Sequence, residues 1–248
     1  MLWRKFRLDW RYASGEFLIV VLGVLSAFWV ENWNSERLDL LLERQYMQSL
    51  LDDLNSDVES IDFALRRTDT HASGIRIVLN SIERESLEVT PVHFAEAVAF
   101  LSRLVFPVQS HATIDDLMST GNLRIIRNTA LRTAIADYYS FVDMQTQWQP
   151  MWRNYQEDMG RLVPRFIGLS VRAAVESELR KPDWWNSNRE VTDSDAQQIL
   201  RRLIDSPDAV PTIENIYRAQ ALNHAYSASL KSKATALIQI VETYSQQL

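Results

Sequence analysis

The stretch GEFLIVVLGVLSAFWVENWN, residues 15–34, decides how this chain is organised. From Phe17 to Val30 no residue is charged, and these 14 residues give about 21 Å of helix against a bilayer hydrocarbon core of about 30 Å. Tryptophans extend the stretch, because Trp10 and Trp33 stand 23 residues apart, about 35 Å along a helix, and tryptophan rings collect at membrane interfaces. We therefore predict a transmembrane helix over residues 13–33.

A cleaved signal peptide and a buried helix of a soluble domain are the alternatives for this stretch. The best small-x-small cleavage candidate is Val24-Leu25-Ser26, but apolar residues continue beyond it. Cleavage there would leave the residues AFWV, 27–30, at the start of the mature chain. An uncleaved anchor fits the sequence better than either alternative.

The charges on the two sides of the span predict its orientation. Residues 1–12 have a net charge of +3, so residues 13–248 carry −9 within a chain of net charge −6. The positive-inside rule then places residues 1–12 in the cytoplasm, lying along the inner surface or as a frayed basic flank, and the domain of residues 34–248 in the bacterial periplasm. The predicted anchor residues are the basic and tryptophan side chains at the two ends: Trp3, Arg4, Lys5, Arg7, Trp10, Arg11, Trp29 and Trp33.

Two stretches have a more specific pattern. YASGEFLIVVLGVLSAFWVENWNSER, 12–37, has a Gly-Glu entry and an Asn-Trp-Asn exit, and IDDLMSTGNLRIIRNTALRTAIADYYS, 114–140, has a Ser-x-Gly-x-Leu step before a helix that ends in paired aromatics. Both resemble an uncharacterised family of bacterial single-pass membrane proteins, although Ser35 stands before Glu36 and Ala27-Phe28-Trp29 replaces the more usual residues. The resemblance implies a membrane anchor with an external helical domain and brings no known activity.

After the span, apolar residues repeat every seven positions in two rows. One row is Met47, Leu54, Ile61, Thr68, Ile75 and Ile82, and the other is Leu51, Val58, Leu65, Ala72 and Leu79. The span is therefore predicted to continue outward as one helix of 50 residues or more that ends near Glu85. The stripe fits the core of a bundle better than an intermolecular coiled coil, because other long helices follow.

Further helix signals follow, and no segment alternates as a strand, so the predicted fold class is an all-α bundle. The 6 glycines in 248 residues also favour few, long elements. The first predicted helices run from Thr90 to about Phe106 and over 110–120 up to Gly121. A longer helix is capped by Thr129 and kinks at Pro150, and a shorter one covers about 170–180. The last two are a helix capped by Thr192 or Ser194 and a helix from about Pro211 to the end. The last helix has an apolar row at spacings of three and four: Leu222, Tyr226, Leu230, Ala234, Leu237, Val241, Tyr244 and Leu248.

The sequence predicts no catalytic, cofactor-binding or metal site. Cysteine is absent, and the four histidines have no spacing typical of a metal site. No glycine-rich phosphate loop or Gly-x-Ser-x-Gly elbow occurs. The acidic external domain also opposes binding to nucleic acid, which depends on neutralising phosphates. We therefore expect a protein that is not an enzyme and needs no cofactor. The histidines are His71, His93, His111 and His224.

Two features favour binding to another protein. The first is one face of the span, where Gly23 and Ala27 form a small-x3-small step that allows a second helix to approach, and where a partner would satisfy Glu16. The second is the tryptophan pair in KPDWWNSN, Trp184 and Trp185, of which one is predicted to be exposed. The whole predicted face is Glu16, Val20, Gly23, Ala27 and Val30.

These features favour a membrane-anchored, non-catalytic protein that acts as an interaction, scaffold or accessory subunit of a membrane complex. Its expected partners are the lipid bilayer and another membrane protein or a second copy of the chain. A periplasmic helical bundle that senses a small molecule is the alternative, since bundles bind ligands between helices. An envelope enzyme is the third possibility and requires carboxylates or histidines that cluster only after folding.

Overall fold

The structure is a computed structural model that describes residues 10–176 and 189–248, without the side chains of residues 10–16 and Thr146. In that part of the chain all regular elements are helices, which confirms the predicted all-α class. The helices are α1 (Trp10–Arg84), α2 (Pro91–Ala99), α3 (Ala112–Ser119), α4 (Thr129–Phe166), α5 (Leu169–Val175), α6 (Asp193–Ile204) and α7 (Ala209–Ser245). A 3-10 turn, Asn122–Ile125, precedes α4.

Helix α1 is a single element of 75 residues, about 112 Å long. It starts before the apolar stretch and continues without interruption to Arg84, so the predicted extension of the apolar stretch into a long helix is confirmed. Glu85 then turns the chain with a φ of 50°. Residues 17–39 are exposed apart from half-buried Val21, and burial begins at Glu43. The first part of α1 therefore projects from the folded domain.

Two long helices accompany the folded half of α1. Helix α7 runs antiparallel to it, with the Tyr244 hydroxyl 2.6 Å from Glu43 at one end and Lys231 Nζ 2.6 Å from Asp62 further along. Helix α4 packs against α7 and runs in the same direction as α1, and it continues past Pro150 as predicted. The apolar stripe of α1 is thus covered within the chain, as expected for a bundle.

The interior contains two hydrophobic clusters stacked along the bundle. The span-proximal cluster joins the middle of α1 to the start of α4 and the end of α7, and it includes Met47, Leu50, Leu54, Ile61, Leu131 and Leu237. The distal cluster joins the end of α1 to α2, α6 and the other halves of α4 and α7, and it includes Ile75, Phe94, Met159, Phe166, Leu203 and Ile213. Burying one such side chain stabilises the fold by about 1.5–3 kcal/mol.

The buried stripe of α1 differs from the predicted one by a single position. The row that starts at Met47 is buried as predicted, apart from half-buried Ile82. The predicted row that starts at Leu51 is only half-buried throughout. The row buried in its place is Glu43, Leu50, Asp57, Ala64, His71 and Val78. Because three of these six residues are ionisable, the apolar pattern pointed to the neighbouring row.

Helix α2 is shorter than predicted. The sequence predicts a helix over 90–106, but α2 ends after nine residues and the chain continues without regular structure to α3. The side-chain amides of Gln220 and Asn223 on α7 donate to the backbone carbonyls of Arg103 and Val105, at 2.6 and 2.7 Å. These tertiary hydrogen bonds satisfy backbone groups that a longer helix would have paired internally.

The helix ends agree with most of the capping signals. Gly121 follows α3 with a φ of 72°, a left-handed conformation that suits glycine. The predicted cap of α4, Thr129, is instead its first residue, and the N-cap is Asn128, whose side chain accepts from the backbone N–H of Leu131. Of the two predicted caps for α6, Thr192 is the N-cap. Helix α7 begins at Ala209, two residues before the predicted start.

Candidate interaction surfaces

The apolar part of α1 is exposed apart from half-buried Val21. Within the described residues, α1 holds the one stretch long and apolar enough to cross a membrane, with a mean hydropathy of 1.5 and none of that window buried. Phe17 and Ile19 are each 72% exposed. A stretch of such side chains in water is unfavourable, so this surface requires a bilayer or a protein to cover it.

The predicted partner-helix face lies on this exposed stretch. Val20 and Val30 are each 60% exposed, and Gly23 and Ala27 lie between them at spacings of three and four residues, which place all four on one side of α1. A Cβ added to Gly23 would meet no atom within 4 Å. The fold of the chain therefore leaves this face open. The side chain of Glu16, the fifth predicted member, lies outside the described part.

Two tryptophans mark the end of the apolar stretch. Trp29 and Trp33 are 77% and 60% exposed and lie one turn apart on the same side of α1. Exposed tryptophans next to a charged residue, here Glu31, are typical of the end of a membrane span. The remaining predicted anchor side chains lie outside the described residues, as do both tryptophans of the KPDWWNSN segment: Trp3, Arg4, Lys5, Arg7, Trp10, Arg11, Trp184 and Trp185.

A buried carboxylate joins three parts of the chain at the base of the domain, the end from which the exposed part of α1 projects. Glu43 is fully buried, and its Oε1 accepts hydrogen bonds from the Tyr244 hydroxyl at 2.6 Å and from the backbone N–H of Arg127 at 2.9 Å. Burial, with the bond to Glu43 and its charge, raises the pKa of Tyr244 to about 12, so the hydroxyl keeps its proton at neutral pH. This clamp fixes the end of α7 and the segment before α4 to α1.

Two further carboxylates hold the segment before α3. Asp53 accepts from the Ser110 hydroxyl and the Thr113 N–H at 2.7 and 3.0 Å, and Asp57 accepts from the Ser110 N–H and the Tyr138 hydroxyl at 2.7 and 2.6 Å. Burial opposes ionisation of both. At Asp57 burial prevails and the pKa is raised, whereas at Asp53 the hydrogen bonds prevail and the pKa is lowered. Both carboxylates therefore serve to hold the chain together.

A polar layer separates the two hydrophobic clusters. Asn223 on α7 faces Thr68 on α1, with 3.4 Å between Nδ2 and Oγ1, and Gln145, Gln220 and Ser227 are buried as well. Among the described residues, four polar atoms of this layer have no hydrogen-bond partner within the protein: Gln145 Nε2, Gln220 Oε1, Asn223 Oδ1 and Ser227 Oγ. The layer interrupts the apolar packing between the two clusters.

A cleft of about 350 Å³ lies between α1 and α2. His71 and His93 both line it, although they are far apart in sequence, and Arg67 and Glu96 add one charge of each sign. Phe100 forms part of the apolar lining. The fold thus brings together polar groups that are scattered in the sequence. Among the described residues, no three His, Cys, Asp or Glu side chains are placed to hold a metal ion.

The folded bundle also exposes large apolar side chains that the sequence patterns do not mark. Met144 and Trp148 lie one turn apart on α4 and are 41% and 52% exposed, and Leu222, predicted to be in the core, is 48% exposed on α7. The next residue, Asn223, is buried in its place. The signal that was available is the spacing of four between Met144 and Trp148, which puts both on one helix face.

The comparisons with known proteins add no relative. Neither a protein-family model, nor a curated protein, nor a solved structure matches the chain. The resemblance of residues 12–37 and 114–140 to a family of single-pass membrane proteins therefore stays a prediction. The geometry of the chain itself carries the functional proposal.

Proposed function

We propose that this protein is a single-pass, membrane-anchored and non-catalytic subunit that binds another membrane protein or a second copy of itself. Residues 13–33 cross the inner membrane of a bacterium, residues 1–12 remain in the cytoplasm, and the helical domain of residues 34–248 lies in the periplasm. Binding takes place through the face of the span that contains Gly23 and Ala27. The protein then serves as a scaffold or accessory subunit of a membrane complex.

The observation that carries this proposal is the continuity of α1. One helix contains both an apolar stretch with no buried residue and the rows of side chains that are buried in the core of the folded domain. If the stretch were a signal peptide, cleavage would cut through this continuous helix. If it were a helix of a soluble core, its apolar side chains would be covered by the rest of the domain. The tryptophans at the end of the stretch and the basic residues before it support a bilayer with the predicted orientation.

The partner face is tested by adding bulk to it. Gly23→Leu fills the small-x3-small step, and Val21→Leu adds bulk on the opposite side of the same helix as the matched control. Because a Cβ at Gly23 meets no atom of the described residues within 4 Å, we expect the variant to leave the fold of the monomer intact. We expect Gly23→Leu to lower the recovery of the partner after purification in mild detergent, whereas Val21→Leu retains it.

Mass spectrometry of the purified material separates the outcomes. A second copy of the chain appears as a doubled mass, and another membrane protein appears as a distinct component at fixed stoichiometry. Recovery of the monomer alone from wild-type membranes, even after crosslinking in the membrane, contradicts the proposal. Equal recovery with Gly23→Leu and Val21→Leu contradicts the role of this face. Labelling of single cysteines in the cysteine-free chain, at Ser35 and Gln247, tests the periplasmic side.

The cleft between α1 and α2 favours small-molecule sensing as a second candidate function. Its volume of about 350 Å³ suits a small ligand, and it combines ionisable groups with the apolar ring of Phe100. A thermal-shift screen of small organic acids and amines on the detergent-purified chain tests this function. We expect a stabilising compound to lose its effect in His93→Ala and Glu96→Ala and to keep it in the exposed α7 variant Glu214→Ala. A screen in which no compound raises Tm counts against sensing.

A further inference from the structure

We propose that the membrane-facing tip of the domain, residues 118–127 from the last turn of α3 to the segment before α4, binds the headgroups of anionic lipids. This inference rests on the proposed anchor and adds a second contact with the same bilayer. The tip would limit the tilt of the domain over the membrane surface. Its exposed side chains include one apolar residue, Met118, and two basic residues, Arg124 and Arg127.

Three hydrogen bonds fix the tip to the base of the domain. The Arg127 N–H donates to Glu43 at 2.9 Å, and the Asn122 side chain donates to the Tyr46 hydroxyl at 2.8 Å. The Tyr46 hydroxyl in turn donates to Asp116 at 2.6 Å, just before the tip. These contacts hold the tip beside the first buried turn of α1. It is therefore at the end of the domain from which the exposed apolar helix projects.

The charge of the tip opposes that of the rest of the domain. Residues 117–136 contain three arginines and no acidic residue, with the exposed Asp115 and Asp116 just before them and Asp137 just after, whereas residues 13–248 as a whole carry a net charge of −9. The third arginine, Arg132, donates to the Ile126 carbonyl and to Thr129 at the start of α4. Arg124 and Arg127 are exposed beside it. A local positive charge with an exposed apolar neighbour suits a surface of anionic headgroups.

The distance to the bilayer suits such a contact. Trp33 at the membrane interface precedes Glu43 by ten residues, about 15 Å of helix. The headgroup layer occupies about 5–8 Å of this distance. The remainder is close to the Debye length of about 8 Å at physiological ionic strength. A transmembrane helix is on average tilted by about 20°, and a tilt toward the tip brings it closer.

The experiment uses the full chain reconstituted in vesicles. Because the chain contains no cysteine, Met118→Cys provides a single site for a fluorophore. Lipids with a spin label on the headgroup quench the fluorophore when the tip touches the surface. Vesicles that contain phosphatidylglycerol are compared with vesicles of phosphatidylcholine alone. Leu169→Cys, at the 66% exposed start of α5 and on the distal half of the domain, is the control site.

We expect headgroup quenching of the Met118 probe to be stronger with phosphatidylglycerol and to fall as salt rises from about 0.1 M to about 1 M, where the Debye length falls from about 10 Å to about 3 Å. We expect each of the substitutions Arg124→Glu and Arg127→Glu to lower the ratio of membrane-bound to unbound tip by about fivefold or more. The matched double variant Arg201→Glu and Arg218→Glu makes the same change of net charge at exposed distal positions and should leave the quenching unchanged.

A third probe separates this inference from the anchor itself. Val24→Cys lies in the span, and spin labels on the lipid chains quench a probe there only if the span is inserted. Quenching of Val24 with equal, weak headgroup quenching of Met118 and Leu169 overturns the tip contact and leaves the anchor in place. Absence of quenching at Val24 overturns both. Strong quenching of Met118 that ignores lipid charge and Arg124→Glu also overturns a contact with anionic headgroups.

Discussion

Glu43 is the residue on which the base of the domain depends. We predict that Glu43→Ala lowers the free energy of unfolding of the detergent-solubilised chain by about 1–3 kcal/mol, because the Tyr244 hydroxyl and the Arg127 N–H lose their acceptor. Glu43→Gln keeps an acceptor oxygen and should recover most of the loss. Urea unfolding followed by circular dichroism measures the difference. Equal stability of Glu43→Ala and wild type would show that the clamp contributes nothing.

Asp53 gives the domain a stability that depends on pH. Its pKa in the folded chain is below the ordinary 3.8, since the hydrogen bonds from Thr113 and Ser110 outweigh burial. A lowered pKa contributes stability above pH 3.8 that is lost as the pH falls through the folded value. We predict that Asp53→Asn costs about 1 kcal/mol near neutral pH and less in acid.

Paired urea titrations at neutral pH and below pH 3.8 test this dependence. Asp52→Asn is the control, since it makes the same charge change at an exposed position next to Asp53. A cost of Asp53→Asn that is the same at both pH values would contradict the prediction. The contribution of the neighbouring Asp57 to stability has the opposite dependence on pH. Because burial raises the pKa of Asp57, its contribution is lost as the pH rises through the pKa of the folded state.

Among the elements, α6 is the one whose start depends most on local sequence. Thr192 accepts from the Asp195 N–H while the Asp195 side chain accepts from the Thr192 N–H, which is a complete capping box. We predict that Thr192→Ala lowers the free energy of unfolding by about 1 kcal/mol, whereas Thr192→Ser retains the cap. Thermal denaturation of the two variants compares them. The idea fails if both variants melt together with wild type.

The elements also show which parts of the fold the sequence predicts. The end of α1 near Glu85, the closure of α3 at Gly121 and a cap at Thr192 for α6 follow from signals within a few residues, and these were predicted, the last with Ser194 as the alternative. The second buried row of α1 was placed one position away, because Glu43 and Asp57 are buried through bonds to distant residues. The end of α2 was placed too late for the same reason, since amides on α7 bind the following segment.

For the whole molecule, we predict that the domain folds without the span. Burial begins at Glu43, and residues 17–39 make no buried contact apart from half-buried Val21. A fragment of residues 34–248 should therefore remain in the supernatant without detergent and keep the helical circular dichroism of the full chain, whereas the full chain sediments with membranes. Aggregation of the fragment, or loss of its helicity, would mean that the domain needs the span to fold.

The candidate surfaces were predictable to different degrees. The open face with Gly23 and Ala27 lies on one helix, so its spacing was visible in the sequence. The tip and the cleft were not, because both depend on tertiary contacts between residues far apart in the chain. Arg127 reaches the base of the domain through Glu43, and His93 joins His71 only when α2 folds back on α1.

Because α1 is continuous, it also fixes the rotation of the domain about the helix axis relative to the span. Each residue of a helix turns the chain by about 100°, so Ala27 and Leu50, 23 residues apart, face directions that differ by about 140°. For a partner that binds at Ala27, this angle therefore fixes which side of the domain faces the partner. One residue inserted near Glu36 would rotate the domain relative to the span by about 100° about the axis of α1. Seven inserted residues would nearly restore the original rotation and move the domain about 10 Å away from the membrane.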